Sequence, residues 1–129
     1  MLKTIILAFA CATGQVAESA ECVPVPGYYK VRGTDAKGDA YSAVATVVKF
    51  NHVYVVTWVT GTGPMVRGTG LLIGERLSVG WSPPGSSVAG CTVYTVAAGG
   101  QRLTGRWTAG TGQIGDEVMT FFAPFEEEE

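Results

Sequence analysis

The chain has 129 residues, of which 47% are hydrophobic and 16% charged, enough for one domain with a modest core. Nine basic and eleven acidic residues give a net charge of −2, but four of the acids form the terminal run 126–129, and without it nine basic face seven acidic. With no Lys/Arg cluster anywhere, nucleic acid is excluded as the expected partner.

Residues 1–20 differ from the rest. Lys3 precedes an apolar run from Ile5 to Ala12, and small and polar residues follow to Ala20. This is the layout of a signal peptide. The run is too short to span a bilayer. We therefore expect a signal peptide over 1–20, a domain over 21–123 and an acidic, disordered tail over 124–129, with a secreted or periplasmic location. The rival is a lipoprotein anchored through Cys11. Removal of the leader leaves Cys22 and Cys91, an even count in an oxidising compartment. Their expected pairing would close a loop of about 70 residues and contribute roughly 4 kcal/mol.

From residue 27 onward strands alternate with turns. Strands are predicted over 28–34, 39–49, 52–60, 65–73, 76–82, 91–97, 101–108 and 115–122. Eighteen glycines, with no three-residue period, fall largely between runs of Val, Thr, Tyr and Trp, as many short strands with tight turns require. No helical periodicity persists over ten residues. Short connections mean antiparallel neighbours. Closing eight such strands removes both sheet edges. The expected fold is all-β, an eight-stranded antiparallel up-and-down meander barrel.

Each tryptophan follows a large apolar residue by four positions, in "YVVTW", "LSVGW" and "LTGRW". Alternate residues of a strand share a face, so Leu77, Val79 and Trp81 point inward together. Leu103, Gly105 and Trp107 do the same, as do Tyr54, Val56 and Trp58, and Tyr29, Val31 and Gly33. Ala43, Ala45, Gly70 and Gly105 leave room for the rings. Tyr54, Trp58, Trp81, Tyr94 and Trp107 are the candidate ligand-binding residues. Eight-stranded barrels sit at the size where the interior either fills with side chains or holds one small ligand. A filled core is the favoured reading of the tryptophans. An aromatic pocket at the barrel mouth is the rival.

The stretch "LTGRWTAGTG" resembles the opening strand of the avidins, and its Gly-Arg-Trp is similar to the Gly-x-Trp of lipocalins. Both families are eight-stranded barrels that hold small ligands, so the resemblance implies an avidin/lipocalin-like barrel. Here, however, it falls on the seventh strand, and Ala109, Gly110 and Thr111 follow the Trp-Thr pair where avidins carry their biotin-gripping loop. Biotin binding is not implied. A broader pattern, "GYYKVRGTDAKGDAY" through "VYVVTW" and "GTGLLIGERLSVGW" to "GDEVMT", resembles small exported bacterial proteins labelled fibronectin-binding, from which no site residues carry over.

Catalytic and metal chemistry find little support. The one histidine, His52, adjoins Asn51 in an expected hairpin turn, and no Gly-x-Ser-x-Gly elbow accompanies it. One His and two expected disulfide cysteines cannot supply a zinc site. "GTGPMVRGTG" lacks the Lys-Ser/Thr ending of a phosphate loop. Glu117 shares the interior face with Met119 and Phe121. The favoured reading is a rim glutamate paired with an arginine, and its rival a buried functional carboxylate. We therefore expect a non-enzymatic binding or interaction module with no cofactor and no metal, its partner a protein or a small apolar or aromatic ligand. The alternatives are a small-molecule carrier and an inhibitor presenting the "SPPGSSVAG" loop.

Overall fold

A computed structural model describes residues 23–61, 63, 65–110 and 112–126. Eight strands form a closed antiparallel barrel in chain order, β1 (Gly27–Thr34), β2 (Ala40–Phe50), β3 (Val53–Val59), β4 (Val66–Ile73), β5 (Arg76–Ser82), β6 (Gly90–Ala97), β7 (Arg102–Thr108) and β8 (Gly115–Ala123). β8 pairs with β1 to close the ring, with a register shift between Tyr28 and Tyr29. The expected meander is thus the fold, with strand ends within a residue of those read from the sequence. The expected leader, Cys11 and Cys22 lie outside the described residues. No helix among the described residues is long and apolar enough to cross a membrane.

The in–out alternation holds on every strand. β5 and β7 alternate exposed and buried until their last turns, with Arg102, Thr104 and Arg106 outward and Leu103 and Gly105 inward. The two ends of the barrel differ. At one end Tyr29, Val47, Tyr54, Val56, Leu77, Val96, Leu103 and Met119 fill the interior and are buried. The segment entering β1 seals this end. The Val25 amide donates to the Gly100 carbonyl at 2.9 Å, and the Tyr29 hydroxyl contacts the carbonyls of Val25 at 2.5 Å and Gly100 at 3.1 Å. Gly100 sits in the 3-10 turn Ala98–Gly100 with φ +91°, and a Cβ there would meet the Val23 carbonyl at 2.0 Å. Only glycine meets both demands.

The other end carries the longer connections, at 35–39, 60–65, 83–89 and 109–114. Its inner wall is built from small residues, among them Gly33, Ala43, Gly68, Gly90 and Gly115. Register places several of these directly across from large rings: Tyr41 opposite Gly33, Trp81 opposite both Gly68 and Gly90, and Trp107 opposite Gly115. A Cβ at Gly90 would lie 2.4 Å from the Trp81 ring, and one at Gly115 would lie 2.4 Å from the Trp107 ring. Each ring therefore lies flat over a neighbouring strand. The same device recurs deeper down, where Tyr94 faces Gly105 and Tyr54 faces Gly70.

Candidate functional site

The wall glycines that admit the rings also leave volume unfilled between them. A cavity of about 160 Å³ opens at this end of the barrel, bordered by Trp58, Trp81, Trp107, Tyr41, Thr92 and Glu117 among others. The filled-core expectation therefore holds for the sealed end and fails at the mouth. Trp81 and Trp107 are half-buried, and only Trp58, at 9% exposure, counts as core. Three large rings cannot fill a ring of wall positions whose other occupants are mostly glycine and alanine.

Trp81 and Trp107 meet edge to face with centroids 6.2 Å apart, and Trp107 meets Tyr41 likewise at 6.4 Å. These are the preferred geometries of aromatic pairs. Trp81 donates its indole N–H to the Thr92 hydroxyl at 2.9 Å, which fixes its ring. The Trp107 Nε1–H is buried and lacks a hydrogen-bond partner. It lies close enough to the Tyr41 hydroxyl to favour that phenolate slightly, but outside hydrogen-bonding geometry.

Glu117 lies at the foot of the cavity. It is 6% exposed and accepts three hydrogen bonds from three other strands: from the Tyr41 hydroxyl at 2.8 Å, the Trp58 indole N–H at 3.0 Å and the Tyr94 hydroxyl at 2.5 Å. The expected rim glutamate paired with arginine is not what forms. Arg106 stands on the outer face directly across from Asp116, and these two make the ion pair, at 3.4 Å. One strand position separates Asp116 from Glu117, and that single step sends their side chains to opposite faces. Burial first, and the Glu117 charge second, push the Tyr41 and Tyr94 phenols far above their ordinary range. Both remain protonated donors at any physiological pH.

The five residues singled out in the sequence divide by height. Trp58, Trp81 and Trp107 border the cavity. Tyr94 is fully buried beneath it and reaches it only through Glu117. Tyr54 belongs to the sealed end and does not border the cavity. Tyr41 and Thr92 were absent from the candidates. Tyr41 alternates inward with Ala43 and Ala45, and Thr92 with Tyr94 and Val96, a signal already in the sequence.

The remaining candidates stand elsewhere. His52 is exposed in the turn between β2 and β3, at the opposite end of the barrel. Cys91 is exposed and has no disulfide among the described residues, and its expected partner Cys22 lies outside them. Among the described residues no cluster of three or more His, Cys, Asp or Glu side chains is placed to hold a metal.

No family model matches the chain, and no curated protein matches it, so the fibronectin-binding resemblance gains no support. Among solved structures the chain is similar to a redesigned β-barrel, with a TM-score of 0.65 and 12% identity over 84% of this chain and 98% of that one. It is similar to the redesigned β-barrel mFAP1 bound to DFHBI, with a TM-score of 0.61 and 14% identity over 78% and 96%. A third likeness is to EF1p2_mFAP2b bound to DFHBI, with a TM-score of 0.56 and 12% identity over 82% and 98%. At these identities the likeness establishes the fold, a closed β-barrel.

Proposed function

We propose that this protein is a non-enzymatic binding barrel, acting in a secreted or periplasmic setting, that takes a small apolar or aromatic molecule into the cavity at its open end. The observation that carries this reading is the convergence of three indoles and Tyr41 on about 160 Å³ of unfilled space. An apolar cavity of roughly 150 Å³ accommodates benzene in a well-studied case, so the enclosed part of a ligand would be about one ring. That two barrels of the same fold hold DFHBI supports the reading by analogy of architecture. The leader-like composition of residues 1–20 supports export.

Titration of the full chain with DFHBI and a panel of single-ring aromatics, followed by tryptophan emission, tests the proposal. Saturable one-to-one binding that weakens at least tenfold in Trp107→Ala is expected. No saturation by any member at millimolar concentration would overturn it.

One observation favours a second reading, a module that binds another protein. Val44, Val48, Phe50 and Val59 are exposed on the outer face of β2 and β3, with Leu71 and Ile73 on β4 beside them. Contiguous exposed apolar side chains of this kind mark interaction surfaces. Cross-linking of the native chain, compared with Val48→Lys, tests this reading independently of the cavity.

A further inference from the structure

We infer that the occupant of the cavity carries a positive charge, and that Glu117 is its counterion. This deepens the binding-barrel reading and rests on it. The chemical class is a small organic cation with an N–H donor, a primary ammonium or amidinium on a body of about one ring.

The argument begins with what Glu117 lacks. Its carboxyl group is taken out of water, and all three of its hydrogen-bond partners are neutral. Among the described residues no lysine or arginine pairs with it, and Arg106 is committed outside to Asp116. Buried charges are ordinarily paired with an opposite charge, because neutral donors offset only part of the cost of dehydration. A carboxylate with no countercharge, at the foot of an open cavity, is the complement of a cation entering that cavity.

Stereochemistry agrees. Oε2 accepts from both Trp58 and Tyr94, while Oε1 accepts only from Tyr41. A carboxylate oxygen accommodates two donors, so Oε1 retains the capacity for one donor more, which an N–H of the occupant would use. The walls suit a cation as well. Indole rings are the strongest of the aromatic partners for a positive charge, and the attraction grows where water is excluded. The Trp58 and Trp81 N–H groups are turned away, onto Glu117 and Thr92, which leaves ring surface rather than donor edges toward the space. Glu117 is both the hub of the network and part of the cavity lining.

Three probes of nearly equal size and different charge test the inference on the full chain: benzylammonium, benzyl alcohol and benzoate, each titrated by tryptophan emission and calorimetry. Benzylammonium should bind about tenfold or more tighter than benzyl alcohol, with benzoate weaker than both. Glu117→Gln keeps an acceptor for two of the donors and removes the charge. It should bring benzylammonium and benzyl alcohol to within about threefold of each other. If benzyl alcohol or benzoate binds the native chain as tightly as benzylammonium, the counterion role is overturned and the binding-barrel reading stands. If none of the three binds, the counterion role falls, and the wider panel that includes DFHBI decides the binding-barrel reading. The ranking on the native chain decides the matter even if Glu117→Gln does not fold.

Discussion

Replacing Glu117 by leucine measures what the three-donor hub contributes. The substitution removes the acceptor for the Tyr94 hydroxyl and the Trp58 N–H, both on residues buried in the barrel, and for the Tyr41 hydroxyl on a half-buried one. A buried donor left unsatisfied costs about 1–3 kcal/mol. Two such donors therefore cost about 2–6 kcal/mol, and Tyr41 can turn toward water in the cavity. Against this stands the relief of no longer burying a carboxylate without a countercharge, a cost of several kcal/mol before its hydrogen bonds are counted. Three charge-assisted bonds at about 1.5–3 kcal/mol each offset most or all of that cost in the native chain. The net expectation is a loss of about 2–4 kcal/mol, a large share of the 5–15 kcal/mol typical of a domain. Denaturant unfolding followed by tryptophan emission and far-ultraviolet circular dichroism gives the number. The sharper test is the second step. Adding Tyr94→Phe to Glu117→Leu removes an orphaned hydroxyl and should restore about 1–2 kcal/mol, although Tyr94→Phe alone destabilises the native chain. If Glu117→Leu is as stable as the native protein, or if Tyr94→Phe weakens it further, the hub does not hold the strands together by satisfying these donors.

The tryptophans should rank by their burial rather than alike. Trp58→Ala is expected to cost about 3–5 kcal/mol, the range for a buried large aromatic, and Trp81→Ala and Trp107→Ala less than about 3 kcal/mol, since both rings are half-buried; equal losses at all three in thermal unfolding would show a filled mouth. Burial raises the Tyr29, Tyr41, Tyr54 and Tyr94 phenols above their ordinary value of 10.0, so the unfolded chain ionises first, and their contribution is fully present below pH 10 and is lost as pH rises beyond it. Phenolate absorbance should therefore climb together with loss of circular dichroism, and ionisation of all tyrosines near pH 10 with the fold intact would contradict the packing of the sealed end. Cys91 is exposed, so only pairing with Cys22 would protect it: thiol labelling of the protein produced under oxidising conditions and left unreduced should give no adduct, and a labelled Cys91 would remove the disulfide.

The barrel was legible because its evidence is local. Alternation in "RLSVGW" or "RLTGRWT" assigns inside and outside within one strand, and the short connections dictate antiparallel order. The site is non-local. Trp81 lies flat because Gly68 and Gly90 stand across from it on two different strands, and no feature of "LSVGW" announces either partner. Glu117 shows the same division. Its face could be read from Met119 and Phe121 beside it, but its donors come from β2, β3 and β6. The arginines one step away in the pairing register, Arg106 on β7 and Arg32 on β1, belong to the outer face, and Arg106 pairs there with Asp116.

Glycine content thus has two meanings in this chain. Some glycines, such as Gly100, are required by a backbone conformation and a close approach at the sealed end. Others, Gly90 and Gly115 above all, are required by the ring across from them. The second group decides whether the barrel is a solid or a vessel. An eight-stranded wall encloses a nearly fixed volume, and each glycine set opposite an aromatic subtracts a side chain that the ring only partly replaces. At the sealed end, branched aliphatic residues such as Val31, Val47, Val56 and Leu103 surround the tyrosines and make up the deficit. At the open end the neighbours are Ala43, Thr92 and a glutamate, and the deficit remains as a cavity. The same substitutions that would solidify the mouth, larger residues at Ala43 or Gly90, would also press on Tyr41 or Trp81 and through Tyr41 on the Glu117 hub. Space, ring orientation and the buried carboxylate are therefore one construction, and a change in any of them should be felt by the other two.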